Sequence, residues 1–122
     1  MDRSICHIEI PTTDLAKATK FYQELFGWKI EMWPGSEYAV FDTGKEPGGG
    51  IMKVDKVFPP AGMGITFYVL VESIEDTLFK AEKLGGKLVK EKTAVGDMGW
   101  FGLFSDLDGN VIGIWKVKNN KS

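Results

Sequence analysis

Histidine and cysteine are almost absent from this chain: His7 is the one histidine and Cys6 the one cysteine in 122 residues. A lone cysteine has no partner for an internal disulfide, which excludes a secreted disulfide scaffold. A structural zinc site drawn from four cysteines and histidines is excluded with it. Any triad or metal centre that needs imidazole must use His7 or take its histidine from a second chain. An excess of one charge is also lacking. Fifteen Lys and Arg stand against seventeen Asp and Glu, for a net charge of -2. The cations are scattered, without the basic stripe of a nucleic-acid binder, so no nucleic-acid partner is expected. Long hydrophobic runs are missing too. The longest nearly unbroken apolar stretch, Ile65 to Val71, falls far short of the ~20 residues that span a bilayer, and no membrane partner is expected. Met1-Asp2-Arg3-Ser4 leads into only a few apolar residues. No signal peptide is therefore expected, and a cytoplasmic location is.

What is present is ordinary for a globular domain: 43% hydrophobic and 26% charged residues. A chain of this length buries roughly two thirds of its unfolded surface, enough for one core without staples. Its organisation is a repeat. Gly50-Ile51-Met52-Lys53-Val54 matches Gly113-Ile114-Trp115-Lys116-Val117, and the same offset carries Tyr38-Ala39-Val40-Phe41 onto Phe101-Gly102-Leu103-Phe104. A slightly smaller offset puts Leu15 on Ile74, Leu25 on Leu84, Gly27 on Gly86, His7 on Thr66 and Glu9 on Tyr68.

Each half reads as a strand, a helix and three more strands. Ser4 to Ile10 alternates apolar and polar residues, a strand pattern. Thr13 or Asp14 is placed to cap a helix, whose apolar face is Leu15, Ala18, Tyr22 and Leu25. Gly27 closes it. In the second half Ile65 to Val71 is the strand, Ser73 with Asp76 resembles a capping box, and Ile74, Leu78, Ala81 and Leu84 form the apolar face. Further strands are predicted at 28–33, 38–42, 49–54, 87–91, 99–104 and 111–117, with Asp108-Gly109-Asn110 turning into the last. Asp55 to Gly64, with Pro59-Pro60, is the link between modules. The fold class is thus α+β: one domain, 1–122, of two tandem βαβββ modules at about 1–54 and 64–118.

At these residues the chain resembles the vicinal oxygen chelate superfamily of glyoxalases, bleomycin-resistance proteins and extradiol dioxygenases. The opening His7-Ile8-x-Ile10, then Asp14-Leu15 and Phe21-Tyr22-x-x-Leu25-Phe26-Gly27, carries the resemblance. So do Lys83-Leu84-Gly85-Gly86 and the closing Ser105-Asp106-Leu107-Asp108-Gly109-Asn110-Val111-Ile112. The resemblance implies sheets curled into a cup with helices outside, a homodimer covering open edges, and a small molecule bound in the cup. Its enzymes hold a divalent metal through a His, Glu, His, Glu set that polarises substrate oxygens. In this sequence those positions are His7, Gly50, Thr66 and Gly113. One imidazole does not hold such a metal. Glu9, two residues along and on the same side of the strand, is the one further donor. No cofactor is expected, and a divalent metal is disfavoured.

The residues singled out each carry a bland alternative. His7 reads either as a half-buried histidine bonded to a neighbour or as the catalytic candidate, since imidazole's reference value of ~6.5 suits acid–base work near neutrality. Glu9 either orients it or faces solvent. Thr66 and Tyr68 either offer hydroxyls to a ligand or simply pack. Trp115 shares a face with Gly113 and, with its counterpart Met52, is expected to line the cup, where aromatic walls suit flat or apolar ligands. Trp28, Trp33 and Trp100 are not oriented by pattern. Phe67 and Val69 are expected in the core, as is Cys6. Gly48-Gly49-Gly50 lacks a phosphate-loop signature, and reads as a bend or a site of close approach to a ligand. Asp106, Asp108 and Asn110 imitate a calcium loop, but a misplaced glycine and Val117 at the closing position make this a turn. The function expected is a metal-independent, glyoxalase-like protein binding an aromatic or apolar small molecule. The alternative is a lyase, isomerase or dioxygenase with a divergent site around His7 and Glu9.

Overall fold

The computed structural model describes residues 3, 5–57 and 65–118. The chain divides into two compact units, Met1–Phe58 and Pro59–Ser122. Each begins with a strand and a helix whose start is fixed by local chemistry. In the first, β1 (His7–Thr12) leads to α1 (Leu15–Phe26). Asp14 caps α1, its carboxylate accepting the Lys17 N–H at 3.1 Å, which satisfies one of the helix's free donors. Gly27 ends it in the left-handed region at φ 73°, where a side chain would be strained. Leu15, Ala18, Tyr22 and Leu25 are all buried.

Three strands follow: β2 (Lys29–Met32), β3 (Tyr38–Asp42) and β4 (Gly48–Lys53). The sheet order is β1-β4-β3-β2, with β1 parallel to β4 and the other pairs antiparallel. Alternation puts Ile10, Ile51, Ala39 and Phe41 on the face that α1 covers, and all four are buried. Trp28 completes this core, stacked on Phe41 at 4.5 Å and on Tyr22 at 5.4 Å.

The second unit repeats the plan. β5 (Tyr68–Leu70), α2 (Ile74–Lys83), β6 (Lys87–Val95), β7 (Gly99–Ser105) and β8 (Val111–Val117) form a sheet of order β5-β8-β7-β6. Ser73 Oγ caps α2 by accepting the Asp76 N–H. Ile74, Leu78 and Ala81 pack over Phe104, Ile112 and Ile114. Asp106 is buried and tied down. Its carboxylate accepts the backbone N–H groups of Asp108 and Asn110 and the Asn110 side-chain amide, each at 2.9 Å. The segment is a hydrogen-bonded turn into β8.

Two βαβββ modules with identical strand order are the architecture the sequence predicted, and the differences are at strand ends. β1 runs His7–Thr12, past the expected end at Ile10 and starting after Cys6, while Ser4 lies outside the described residues. Cys6 precedes it and is exposed, because strand alternation does not reach it. β5 has only Tyr68–Leu70, so Thr66 and Phe67 lie before it, and Phe67 and Val69 are half-buried rather than core. β6 continues past Glu91 to Val95, with register shifts that let an edge strand follow β7 further. Most of the expected link, 58–64, lies outside the described residues. Among the described residues no helix is long and apolar enough to cross a membrane.

Candidate functional site

The face of the first sheet turned away from α1 carries the polar candidates. Glu9 and Val40 both lie opposite Gly50, and Tyr38 lies opposite Met52. Register partners share a face, so His7, Glu9, Tyr38 and Met52 all project on this side. Glycine at position 50 lets them meet. A Cβ there would collide with the Tyr38 hydroxyl and ring, so the phenol lies across the bare backbone of β4 and reaches β1. Its hydroxyl donates to Glu9 Oε2 at 2.9 Å and lies 2.9 Å from His7 Nε2. His7 Nε2 and Glu9 Oε2 are 3.4 Å apart, with side chains 46% and 41% exposed. Desolvation, followed by the hydrogen bond and negative charge of Glu9, pushes the Tyr38 phenol above its ordinary pKa. Trp33, an exposed ring, leans on Tyr38 at 5.4 Å.

The second sheet holds an apolar site on its corresponding face. Tyr68 lies opposite Gly113, Leu70 opposite Trp115, and Phe101 opposite Trp115. Tyr68, Val95, Phe101 and Trp115 line an open recess of about 440 Å³. Tyr68 meets Phe101 edge to face at 6.3 Å, a favourable aromatic geometry. A Cβ on Gly113 would strike the Tyr68 ring. Each module therefore has a tyrosine lying over the glycine of its last strand. In the first that tyrosine comes from β3, in the second from β5.

Of the sequence candidates, His7 and Glu9 are joined through Tyr38, and Tyr68 and Trp115 share the recess. Met52 shares a sheet face with the first group. Thr66 is half-buried ahead of β5 and is not part of the recess wall. The glycine run does permit close approach, but by the protein's own groups: the Ile8 carbonyl over Gly49 and Tyr38 over Gly50. Trp28 belongs to the core, and Trp100 lies under the Lys92 ammonium at 5.0 Å. Sequence reasoning missed Tyr38, Val95 and Phe101 as site residues. The repeat held a signal for two of them, because the offset matching Gly50 to Gly113 also matches Tyr38 to Phe101.

The side chains at these positions do not make up a four-ligand metal set. His7 Nε2 and Glu9 Oε2 are each engaged with Tyr38, Gly50 and Gly113 bring no donor side chain, and tyrosine rings occupy the space such side chains would enter. Among the described residues no group of three or more His, Cys, Asp or Glu is placed to hold a metal ion. These residues do not fit that site.

Comparison with known proteins agrees with this architecture. Residues 4–44 match the family described as bleomycin resistance protein-like N-terminal. A glyoxylase-like domain-containing protein of Didymella fabae is 32% identical over 114 residues, 87% of this chain and 88% of that protein. Among solved structures, the genomically encoded fosfomycin resistance protein FosX of Listeria monocytogenes has a TM-score of 0.76 at 22% identity, covering 95% of this chain and 94% of its own. A glyoxalase/bleomycin resistance protein/dioxygenase family enzyme of Burkholderia phytofirmans has a TM-score of 0.75 at 20% identity, covering 91% and 96%. At these identities the solved structures speak to the fold alone.

Proposed function

This chain belongs to the glyoxalase/bleomycin-resistance group of the vicinal oxygen chelate family, and we propose that within it the protein binds a small molecule with a flat aromatic or apolar body, without the four-ligand metal site. The observation that carries this reading is the recess of about 440 Å³ walled by Tyr68, Val95, Phe101 and Trp115. Its volume is in the range of small-molecule sites, roughly 300–1,000 Å³. Three rings around one opening favour a ligand that stacks, since aromatic pairs add about 0.5–1.5 kcal/mol beyond the area they bury. The E126Q mutant of FosX was solved in complex with Mn(II) and 1S,2S-dihydroxypropylphosphonic acid. An apolar wall suits a different class of ligand, and sequestering one requires no bond to be broken.

Tryptophan fluorescence tests it. Titration with a panel of aromatic metabolites and antibiotics is expected to give saturable quenching by at least one compound, lost in Trp115→Phe. No response across the panel, or quenching unchanged in that variant, would count against the recess as the site. A homodimer is part of the proposal, because β1 and β2, like β5 and β6, are edges of their own sheets and open edges call for cover. Light scattering at micromolar concentration is expected to give twice 13.6 kDa, and the monomer mass alone would refute it.

The polar corner of the first sheet favours a second reading, acid–base catalysis of a lyase or isomerase type at His7 and Glu9. A panel compound that is chemically altered during the titration, and survives intact with His7→Ala, is the outcome that would favour it.

A further inference from the structure

Tyr38 has one phenolic proton, and Glu9 Oε2 receives it at 2.9 Å. The phenol oxygen also lies 2.9 Å from His7 Nε2. With its only proton committed to the carboxylate, the phenol meets Nε2 as an acceptor, so Nε2 carries a hydrogen. The neighbouring Glu9 Oε2 at 3.4 Å favours the same placement. A neutral imidazole has one N–H, which leaves Nδ1 as a bare lone pair; the tautomer is thus assigned from the directions of these bonds. Among the described residues nothing bonds to Nδ1 or to Glu9 Oε1, and both side chains are close to half exposed.

We propose that Tyr38 is the positioning residue of this corner: by giving its proton to Glu9 it fixes His7 as the Nε2–H tautomer, so that the corner offers acceptors only, His7 Nδ1 and Glu9 Oε1, and takes a hydrogen-bond donor, a hydroxyl or an ammonium group. The ring over Gly50 holds this arrangement from below, since glycine leaves the phenol room to cross β4. The inference is confined to the first sheet and does not rest on the recess of the second. Its failure would leave the fluorescence result untouched, and the reverse holds too.

The lone histidine makes the test clean, because a ¹⁵N-labelled sample of the full chain has one imidazole to observe. At a pH where His7 is neutral, Nε2 is expected to show the shift of a protonated ring nitrogen and Nδ1 that of an unprotonated one. In Tyr38→Phe the two shifts are expected to move only part of the way toward each other, because Glu9 Oε2 at 3.4 Å still favours Nε2–H. In Glu9→Leu the phenol proton is released to Nε2, and the imidazole is expected to invert to Nδ1–H. A merely structural tyrosine would not produce that inversion, and Glu9→Leu keeps the test open should Tyr38→Phe fold poorly. An Nδ1–H tautomer in the wild type, or an unchanged tautomer in Glu9→Leu, would overturn the proposal. The same signal reads the ligand class. Phenol or benzylamine is expected to shift Nδ1 while anisole and toluene, which keep the ring without the donor, do not. A phenol response identifies the hydroxyl arm and a benzylamine response the ammonium arm. Equal shifts with anisole, or none with either donor, would overturn the assignment of ligand class.

Discussion

At the scale of single residues, Tyr38 links chemistry to stability. Its phenol is held above the ordinary value first by desolvation and then by Glu9, so the folded chain binds that proton more tightly than the unfolded one. A raised pKa of this kind contributes stability in full below about pH 10, the unfolded value, and loses it as pH rises through the folded value. In urea unfolding followed against pH, the stability gap between wild type and Tyr38→Phe is expected to narrow above about pH 10. A gap that stays constant through that range would show that the phenol proton is not coupled to folding. The sequence could place His7 and Glu9 together, because residues two apart in a strand share a face. It could not supply their bridge. The bond from Tyr38 to Glu9 crosses from β3 over β4 to β1, a tertiary event that depends on the missing side chain at Gly50, and no periodicity encodes it.

At the scale of elements, the helices were legible and the strand ends were not. Capping and closing are local: Asp14, Gly27 and Ser73 act within a few residues of themselves. Strand ends depend on what the partner strand offers. β5 stops at Leu70 where its pairing with Trp115 ends, whereas β6 runs on because Thr93, Ala94 and Val95 find Phe101, Trp100 and Gly99. That extension brings Val95 into the recess, which is why a strand expected to end at Glu91 could not reveal it. The glycines of the paired strands separate by the same logic. A Cβ at Gly49 would run into the Ile8 carbonyl oxygen, which is backbone in the neighbouring strand and cannot swing aside. A Cβ at Gly113 would meet the Tyr68 ring, which is 52% exposed and free to rotate away. Gly49→Ala is therefore expected to cost about 3 kcal/mol, at the upper end of overpacking. Gly113→Ala is expected to cost about 1 kcal/mol or less, close to a surface change, while displacing Tyr68 from the recess. Equal shifts of the urea midpoint in the two variants would contradict this reading.

At the scale of the whole molecule, the duplication explains both what is shared and what has diverged. Each unit sets its last strand beside its first and a helix on one face. This common plan was readable because the offset matching one stretch of apolar residues also matched the next. What the modules do with the free face was less readable, since it turns on which tyrosine falls over which glycine. In the first unit Tyr38 links His7 and Glu9 into a polar corner. In the second the place matching Glu9 is Tyr68, and the face becomes an aromatic wall. This wall is the proposed site for an aromatic small molecule bound without a metal. The most direct test is a tryptophan-fluorescence titration of tag-free protein with an aromatic ligand panel, run with and without EDTA. Saturable quenching that is indifferent to EDTA is the predicted result. Quenching that vanishes with the chelator and returns on adding a divalent metal would contradict it.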